Sequence, residues 1–526
     1  MATKKRSQKT SFSISEYLWV IFFLLIFLGF GIRLYDLTDL PLDFHPTRQL
    51  LSAHKARGIL YQDQPGIPDW QREFAIQQWK VRAAVEPEVL EHLVAYTYRF
   101  TGEQLWVARI YSSLFWTIGG IFLFLLAQKL FSEVGALAAL AIYLFNPYAI
   151  IASRSFQPDP LMVMLIILFW WAVWNYAEIL PAVTFGGKND DIANTARLRW
   201  TWAILAGIFG GLAIYIKFVA AFFVVGGGLG ALLGRQPLRR LLSQPEIWTM
   251  VGLGILPGLS YLIYGTLVQK FLGQQFGGRF FPAMFLDPSY YLGWVSVLDL
   301  VIGGTLLMAA LLGIFFIETK TVRQFLVGLW VAYLLFGLYF NYHISTHDYY
   351  SLPLIPIAAV SAAPVADYII KGISKQADPK WKQLILAGAI CLGILFPMWN
   401  MRTRLRSADY RPEANVWNQI GSKLGTDAKV VALTQDYGMR LAYWGWLAPV
   451  PWPSAGDIFY HSARGSQVTF DEQFERLTRG QDYFLVTDFE EYNHQPQLAQ
   501  KLNSEYQILY EGDTYVVFDL FEMRTP

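Results

Sequence analysis

The stretch Ser153-Arg-Ser-Phe-Gln-Pro-Asp159 joins two long apolar runs, residues 134–151 and 161–180. It places an arginine and a carboxylate where a membrane protein ordinarily carries no charge. An ionised side chain costs about 2.5–3.5 kcal/mol at the centre of a membrane helix, so charges at such a place usually mark a functional site. The stretch therefore predicts two membrane helices and a site at the turn between them.

The composition of the whole chain is typical of a membrane protein. Of 526 residues, 54% are hydrophobic and 16% are charged, against about 25% charged residues in soluble domains. The net charge of +2 indicates neither a nucleic acid nor an acidic partner. Cys391 is the single cysteine, which excludes an intrachain disulfide and a cysteine-based metal site. We therefore expect a polytopic α-helical membrane protein.

Eleven apolar runs are long enough to cross a hydrocarbon layer of about 30 Å. They are residues 17–32, 107–130, 134–151, 161–180, 200–216, 218–233, 247–266, 294–317, 325–340, 352–370 and 384–399. Basic residues precede the first run, namely Lys4, Lys5, Arg6 and Lys9, so a signal peptide is the alternative reading. Because no small-residue cleavage site follows the run, we expect an uncleaved first helix.

The basic residues of the loops predict the orientation. With the N-terminus in the cytoplasm, the inner loops contain Lys188, Arg197, Arg199, Arg235, Arg239, Arg240, Lys320, Arg323, Lys371, Lys375, Lys380 and Lys382. The short outer connections contain only Arg154, Lys217, Lys270 and Arg279. This distribution follows the positive-inside rule, and it holds only if residues 200–233 form two helices that meet at Lys217. The C-terminal segment is then outside.

Four outer elements follow from this topology. The first is a long loop, residues 35–106, with helical periodicity at 48–61 and 88–100. In the segment 88–100, Leu90, Leu93, Val94 and Tyr98 share one face, as in a helix that lies in the membrane interface. The other elements are the turn 153–159, the aromatic-rich loop 267–293 and the short stretch 341–350.

Residues 401–526 are polar and predict a small α/β domain after a membrane domain of residues 1–400. We expect helices at 413–424, 471–479 and 495–502, strands at 429–434 and 483–487, and a hairpin of 507–509 with 515–519 that turns at Glu511-Gly-Asp513. The segment Gly421-Ser-Lys-Leu-Gly425 lacks the spacing of a phosphate-binding loop, so the domain has no nucleotide signature.

The predicted topology gathers polar residues at the outer ends of the helices. They are Asp36, Asp39, Asp43, His45 and Arg48 in the long loop, Arg154 and Asp159 in the turn, Lys217, and His343, His347, Asp348, Tyr349 and Tyr350 in 341–350. Each one alone is accounted for by the polar surroundings of a helix end. Carboxylates, cations and histidines together at one depth indicate a site.

This mixture suits transfer of a sugar from a lipid phosphate. Lipids and secreted molecules are the substrates available outside, since nucleotide-sugars and ATP are cytoplasmic. A lipid phosphate is a good leaving group that needs cations to stabilise its developing charge. An acceptor hydroxyl has a high pKa and needs a carboxylate to take its proton.

The chain resembles the lipid-linked-sugar glycosyltransferases of the GT-C class, and is similar to the bacterial protein-O-mannosyltransferases and lipid A aminoarabinose transferases. The matching segments are Pro41-Leu-Asp43, Gly102-Glu-Gln-Leu-Trp-Val-Ala-Arg109, Ser153–Asp159, Gly211-Leu-Ala-Ile-Tyr-Ile-Lys217 and His347-Asp-Tyr-Tyr350. They cover most of the membrane region in family order. The resemblance implies an inverting hexosyl- or pentosyltransferase that uses a polyprenyl-phosphate-linked sugar donor and a lipid, glycan or protein acceptor. It also implies a multi-pass protein of a prokaryotic plasma (inner) membrane, with its site and C-terminal domain on the extracytoplasmic side.

The resemblance also implies roles for individual residues. Asp43 corresponds to the general base, and Asp159 to a second acid that positions substrate or a divalent cation. Arg154, Lys217, His347, Tyr349 and Tyr350 would face the donor phosphate. Many relatives have Glu directly after the first Asp, whereas this chain has Asp43-Phe-His45-Pro-Thr-Arg48. We therefore expect His45 and Arg48 to bind the phosphate directly or to orient Asp43.

Several alternatives remain open at the level of the sequence. Asp159 suits an N-cap, because Pro160 stands in the first helical turn. The sequence leaves open whether a divalent cation is a cofactor, and its candidate ligands are Asp43, Asp159, His343 and His347. For the whole chain, the alternatives are a lipid or sugar-lipid transporter, for which we would expect mid-membrane charges and an internal repeat, and a non-catalytic envelope assembly factor.

Overall fold

Helices make up most of the chain. The computed structural model describes residues 14–82, 85–180, 189–268, 270, 272, 280–376, 381, 384–385, 388–389, 391–463 and 468–523. Up to residue 406, the helices are α1 Ile14–Arg33, α2 Pro46–Asp63, α3 Asp69–Val81, α4 Val89–Thr101, α5 Trp106–Leu130, α6 Glu133–Phe145, α7 Pro147–Ala152, α8 Asp159–Ile179, α9 Asn189–Ile216, α10 Ala220–Leu233, α11 Leu238–Leu241, α12 Pro245–Ile263, α13 Pro288–Val301, α14 Gly303–Gly313, α15 Lys320–Tyr339, α16 Asn341–Thr346, α17 Leu354–Gln376 and α18 Phe396–Arg406. Short 3-10 or π turns cover Tyr264–Val268, Pro282–Leu286, Ile314–Phe316, Asp348–Ser351 and Cys391–Leu395.

Five of these helices are long and apolar enough to cross a membrane: α5, α8, α9, α12 and α15. The pair α13 and α14 would make a sixth crossing if it were counted as one. The shorter helices α1, α6 and α10 and the first part of α17 are also apolar. The predicted run 384–399 lies partly outside the described residues. The chain thus has the several apolar helices that the sequence predicts, and the count of eleven stays a prediction.

Two of the predicted runs are broken helices. The run 134–151 breaks at Asn146, whose side chain accepts a hydrogen bond from the Ala149 amide at 2.8 Å and so begins α7. The run 294–317, predicted as one span, bends by 91° between α13 and α14, and its count as a single span stays a prediction. Gly303, at a φ of +76°, provides the left-handed backbone for this bend. The Asn146 amide donates to the Val301 carbonyl at 3.0 Å, so the two breaks contact each other.

Residues 200–233 form two helices, as predicted. α9 ends at Ile216 and α10 begins at Ala220, with Lys217 in the link between them. α10 packs closely on α15 through glycines: a Cβ on Gly328 would lie 2.5 Å from the Gly226 carbonyl oxygen. Small residues at such a contact let two membrane helices approach each other.

The long loop folds into a helical layer over one end of the bundle. The predicted helices 48–61 and 88–100 are present as α2 and α4, and α3 is an additional helix that was not predicted. Leu90, Val94 and Tyr98 of α4 are buried in a protein core, whereas Leu93 is exposed, and the position of α4 in the membrane interface stays a prediction. This layer shares a hydrophobic core with Phe156 from the turn 153–158.

The C-terminal α/β region, residues 413–523, contains a five-stranded sheet with the order β2-β1-β3-β5-β4. Its elements are α19 Glu413–Leu424, β1 Val430–Leu433, α20 Met439–Trp444, β2 Val450–Pro451, α21 Ala455–Ala463, α22 Phe470–Thr478, β3 Tyr483–Val486, α23 Phe489–Asn493, α24 Pro496–Glu505, β4 Tyr506–Gly512 and β5 Tyr515–Met523. β1 is parallel to β2 and β3, while β5 is antiparallel to β3 and β4. β1, β3 and the final hairpin were predicted from the sequence, whereas β2 was not.

The C-terminal α/β region docks on the helical layer of the long loop. Trp446 lies against Tyr61, Trp70 and Phe74, with ring centroids 5.5–6.3 Å apart. Trp446 adopts a φ of +55°, a left-handed conformation that is uncommon for a bulky side chain. The same end of the bundle therefore carries the long loop, the turn 153–158, the α9–α10 link and the sheet.

Candidate active site

The loop that carries Asp43 is held by two buried arginines, one from α5 and one from the turn 153–158. Arg109, near the start of α5, donates to the Leu40 carbonyl at 2.9 Å. Arg154 donates to the carbonyls of Tyr35 and Asp36 at 2.7 and 2.9 Å. Both guanidinium groups are only 1% exposed, so they satisfy backbone oxygens that have little access to water. The path of the loop is fixed before any substrate arrives.

Asp43 itself is paired but accessible. Its Oδ1 lies 3.0 Å from Nη2 of Arg109 and 3.4 Å from Nε2 of Gln49. The side chain of Asp43 keeps 18% of its surface exposed, against 3% for Asp159. Asp43 is thus the carboxylate that a group from outside can reach. Arg109 was part of a sequence match but had no predicted role, and the structure shows it as the direct partner of Asp43.

The turn 153–158 is fixed to the loop and to α5. Gln49 accepts a hydrogen bond from the Phe156 amide at 2.9 Å while it donates to the Phe44 carbonyl at 2.6 Å. Ser112 of α5 donates to the Ser155 carbonyl at 2.7 Å. One glutamine side chain therefore joins the Asp43 loop to the turn that leads into Asp159.

Asp159 and Lys217 form a buried ion pair. Nζ of Lys217 lies 2.9 Å from Oδ1 of Asp159. Oδ2 of Asp159 is buried without a hydrogen-bond partner in the described part of the chain. Burial of a charged oxygen without a partner costs free energy, so this atom is suited to bind a polar group of a ligand.

Glu86 belongs to the same cluster and was not predicted. Its Oε1 lies 2.9 Å from Nη2 of Arg48 and 3.8 Å from Nζ of Lys217. Burial by itself would raise the pKa of Glu86, but Arg48 and Lys217 lower it to about 2. Glu86 is therefore ionised and links Arg48 to the Lys217–Asp159 pair. Its only signal in the sequence is a position in the long loop, within Val85-Glu-Pro-Glu88.

The Tyr349 ring lies at the centre of the cluster. Lys217 Nζ is 5.1 Å from its centroid, the guanidinium of Arg48 is 5.8 Å away and the His45 ring is 4.9 Å away. Tyr350 is the second aromatic neighbour of Lys217, at 5.0 Å. These contacts bring residues of 341–350 against the long loop and the α9–α10 link, as the family-like segments predict.

His45 of the long loop contacts Asp348 of the stretch 341–350. Nε2 of His45 lies 2.5 Å from Oδ1 of Asp348. The contact with His45 lowers the pKa of Asp348 although burial opposes this shift. His45 precedes α2 with a φ of +43°, an unusual conformation that is found more often at functional sites. His45 therefore contacts a carboxylate of this chain, and Asp43 has Arg109 as its partner instead.

His347 lies beside this pair and is neutral at ordinary pH. Burial, with the neighbouring His45, lowers the pKa of His347 to about 4. Its Nδ1 lies 2.8 Å from the Thr346 hydroxyl. A neutral imidazole can donate one hydrogen bond without adding a charge to the cluster.

The candidate metal ligands do not converge. Within the described residues, no three His, Cys, Asp or Glu side chains are placed to hold a metal ion. Asp43 faces Arg109 and Asp159 faces Lys217, while His343 and His347 form a separate pair with ring centroids 5.5 Å apart. The residues that are present do not fit a preformed metal site.

The predicted residues thus fall into three groups. His45, Arg48, Lys217, His347, Tyr349 and Tyr350 lie together with Asp159 and the unpredicted Glu86. Asp43 contacts Arg109 and Gln49 instead of members of this cluster. Arg154 is oriented toward backbone carbonyls of the long loop, and its Nε is buried without a partner in the described residues. The cluster offers cations and aromatic rings, and Asp43 offers an accessible base.

Comparisons with known proteins give a match to one family and to several solved structures. Residues 85–182 match the family described as dolichyl-phosphate-mannose-protein mannosyltransferase. The matched range includes Glu86, Arg109, Arg154 and Asp159. No curated protein sequence matches the chain.

Two solved proteins share the architecture of the whole chain. ArnT from Cupriavidus metallidurans, in the apo state, is 14% identical, with a TM-score of 0.57 over 96% of this chain and 98% of that one. The same protein bound to undecaprenyl phosphate gives a TM-score of 0.56 over the same shares, again at 14% identity. The archaeal oligosaccharyltransferase AglB from Archaeoglobus fulgidus, in complex with an inhibitory peptide and a dolichol-phosphate, is 11% identical, with a TM-score of 0.52 over 98% and 75% of the two chains. The chain therefore has the fold of the GT-C glycosyltransferases and is a multi-pass membrane protein.

Proposed function

We propose that this chain is an inverting glycosyltransferase that moves a sugar from a polyprenyl-phosphate donor to an acceptor hydroxyl. The site faces the extracytoplasmic side of a prokaryotic plasma membrane. Residues 1–400 form the catalytic membrane domain, and residues 401–526 form an extracytoplasmic domain. The observation that carries the proposal is the separation of an accessible carboxylate, Asp43, from a buried cluster built around Arg48 and Lys217.

The buried cluster is suited to the donor phosphate. Arg48 and Lys217 provide cations, and Nε of Arg48 is buried without a partner in the described residues, ready to donate to a phosphate oxygen. Glu86 and Asp159 hold the two cations in place, which avoids reorganisation when charge develops on the leaving group. ArnT binds undecaprenyl phosphate and AglB binds dolichol-phosphate within the same fold, which supports a polyprenyl phosphate here.

Asp43 is suited to act as the general base. The acceptor oxygen attacks the anomeric carbon of the donor sugar, and the bond from that carbon to the phosphate oxygen breaks. The electron pair of that bond leaves with the phosphate, and the hydroxyl proton passes to Asp43. Arg109 orients Asp43 for this transfer. A single displacement from the face opposite the phosphate inverts the configuration of the sugar.

An assay with the purified chain tests this function. The chain is reconstituted in phosphatidylcholine nanodiscs with a panel of undecaprenyl-phosphate-linked hexoses and pentoses and an extract of cell-envelope acceptors. We expect release of undecaprenyl phosphate from one donor together with a glycosylated product of inverted configuration. Movement of the donor across a vesicle bilayer without cleavage of the sugar–phosphate bond would show a transporter instead.

A further inference from the structure

A second pocket borders the Asp43 loop at Thr38 and Leu40. It is a pocket of about 350 Å³ whose lining includes Leu40, Arg57, Glu103, Gln104, Trp106 and Trp444. The volume is within the range of small-molecule sites, about 300–1,000 Å³. Three parts of the chain meet there: the Asp43 loop, the helical layer with the entry to α5, and α20 of the C-terminal α/β region.

The pocket is connected to the candidate base, Asp43, through Arg109. Nη2 of Arg109 donates both to the Leu40 carbonyl, at 2.9 Å, and to Oδ1 of Asp43, at 3.0 Å. A residue of the pocket wall and the base therefore share one donor atom. None of the residues of the donor cluster lines this pocket. A ligand bound here would lie against Leu40, three residues before Asp43, without competing for Arg48 or Lys217.

The pocket has no net charge, because its two charged residues, Arg57 and Glu103, have opposite signs. Nε of Arg57 lies 2.7 Å from Oε1 of Glu103, and the Tyr61 hydroxyl donates to the other oxygen of Glu103 at 3.1 Å. The remaining lining residues are uncharged. A pocket without net charge does not select a phosphate or a cation. It favours a neutral ligand with several hydrogen-bonding groups.

The aromatic side chains of the pocket provide apolar surface beside hydrogen-bonding groups. Trp106 and Trp444 are half-buried and combine an apolar face with an indole N–H. Gln104 is exposed and offers both a donor and an acceptor. A sugar ring has apolar C–H faces and hydroxyl edges, so it can satisfy both kinds of wall at once.

The wall from the C-terminal α/β region is held rigidly. Arg57 donates to the Tyr443 carbonyl at 2.5 Å, and its guanidinium lies 3.5 Å from the centroid of the Tyr443 ring. The His54 ring contacts the Met439 carbonyl at 3.1 Å. Since both contacts anchor α20 on α2, Trp444 stands at a fixed place in the pocket. Rigid walls preserve selectivity because a ligand cannot reshape them at low cost.

We infer that this pocket is the acceptor subsite and that it binds a saccharide, with Trp444 and Gln104 as specificity-determining residues. The inference rests on the proposed function, because it assigns the acceptor side of the same reaction. The C-terminal α/β region would thereby select the molecule that receives the sugar.

Saturation-transfer NMR tests the subsite on the full chain in phosphatidylcholine nanodiscs, which contain no sugar headgroups. The probes are the methyl glycosides of glucose, mannose and N-acetylglucosamine, and a monoglucosyl diacylglycerol in the nanodisc. We expect at least one probe to bind to the natural chain. Binding of a free glycoside indicates a glycan or glycoprotein acceptor, and binding of the glycolipid alone indicates a membrane lipid.

Three variants distinguish a specific loss of saccharide binding at the pocket from a general loss of structure. Trp444→Ala is expected to weaken saccharide binding at least tenfold, and Gln104→Trp, at an exposed position, is expected to block it by filling the pocket. Trp399→Ala, at an exposed tryptophan away from the pocket, is the matched control and should bind as the natural chain does. Undecaprenyl phosphate binding is measured in parallel on the same samples.

The two proposals fail in different ways. If the natural chain binds undecaprenyl phosphate but no saccharide probe, or if Gln104→Trp binds a saccharide as well as the natural chain does, the acceptor subsite is wrong. If the natural chain binds no undecaprenyl phosphate, the proposed function is wrong regardless of the saccharide result.

Discussion

Nζ of Lys217 lies 2.9 Å from Oδ1 of Asp159, and both side chains are almost fully buried at the end of the helix bundle. The two residues come from different matched segments of the chain. A buried pair is held by mutual attraction against a large loss of hydration, so removal of one partner leaves an uncompensated charge. Glu86 and Arg48 extend the pair into a chain of alternating charges. The stability of this arrangement and its use for phosphate binding can be tested separately.

The first prediction concerns the Lys217–Asp159 pair. Asp159→Asn or Lys217→Met should each lower the free energy of unfolding by about 3–5 kcal/mol, because one buried charge loses its partner. The double variant should lose less than the sum of the two, which indicates direct coupling. The measurement is unfolding in detergent with each single variant and the double variant.

The matched control is the exposed pair Arg479–Glu475, whose side chains are 76% and 73% exposed at a separation of 2.7 Å. Glu475→Gln should change stability by no more than about 1 kcal/mol. Equal effects at both pairs would contradict the buried character of the Lys217–Asp159 contact.

The second prediction concerns phosphate binding by Arg48. Arg48→Lys keeps a positive charge near Glu86 but removes the planar guanidinium and its buried Nε. We expect affinity for undecaprenyl phosphate to fall about tenfold, the loss of about one charge-assisted hydrogen bond. Arg99→Lys, in the same layer but 50% exposed, should bind undecaprenyl phosphate as the natural chain does. Equal affinity in Arg48→Lys and the natural chain would remove Arg48 from the donor site.

The third prediction concerns pH. His347 has a pKa of about 4 in the folded protein because it is buried next to His45, whereas an unfolded histidine titrates near pH 6.5. Between these values the unfolded state binds the proton and the folded state does not, so stability falls as pH decreases from about 6.5 to about 4. His347→Gln cannot titrate and should show a shallower decrease.

The readout is the difference in apparent Tm between the natural chain and the variant across this pH window. His494→Gln is the control, since His494 is exposed in the C-terminal α/β region. A decrease of the same slope in His347→Gln and the natural chain would mean that another group causes the acid sensitivity.

The fourth prediction concerns the docking of the C-terminal α/β region. Trp446→Ala removes the ring that contacts Tyr61, Trp70 and Phe74. We expect a loss of about 1–3 kcal/mol and faster proteolytic cleavage between residues 407 and 412, which connect α18 to α19. Trp399→Ala serves as the control at an exposed tryptophan. Unchanged cleavage in Trp446→Ala would show that docking depends on other contacts.

Much of the fold follows from local patterns in the sequence. The separation of α9 from α10 at Lys217 was predicted from the charges of later loops, and α2, α4 and the final hairpin were predicted from periodicity. The bend at Gly303 was not predicted, because a glycine inside an apolar run is compatible with both a straight and a broken helix. α3 was not predicted, although Trp70, Phe74 and Val81 recur at helical spacing.

Most site residues were predicted from family-like segments, among them Asp43, Asp159, Lys217 and Tyr349, and their roles stay predictions. His45 and Arg48 were predicted from the residues that follow Asp43. Glu86 was not predicted, because it contacts Lys217 across 131 positions of sequence and lies in none of the family-like segments. Arg154 was assigned to the donor phosphate, whereas its terminal nitrogens contact the backbone of Tyr35 and Asp36. Tertiary contacts, and not local spacing, decide such partners.

The central claim is that Asp43 is the base in sugar transfer from a polyprenyl phosphate. The most direct measurement is mass spectrometry of envelope lipids and glycans in a deletion strain, alone or complemented with the natural chain or a variant. The variants are Asp43→Asn and the control Asp63→Asn, which alters an exposed carboxylate of the same layer. We predict that a polyprenyl-phosphate sugar accumulates in the deletion strain and with Asp43→Asn, and that the natural chain and Asp63→Asn clear it. A lipid profile unchanged by deletion, or full clearance by Asp43→Asn, would contradict the claim.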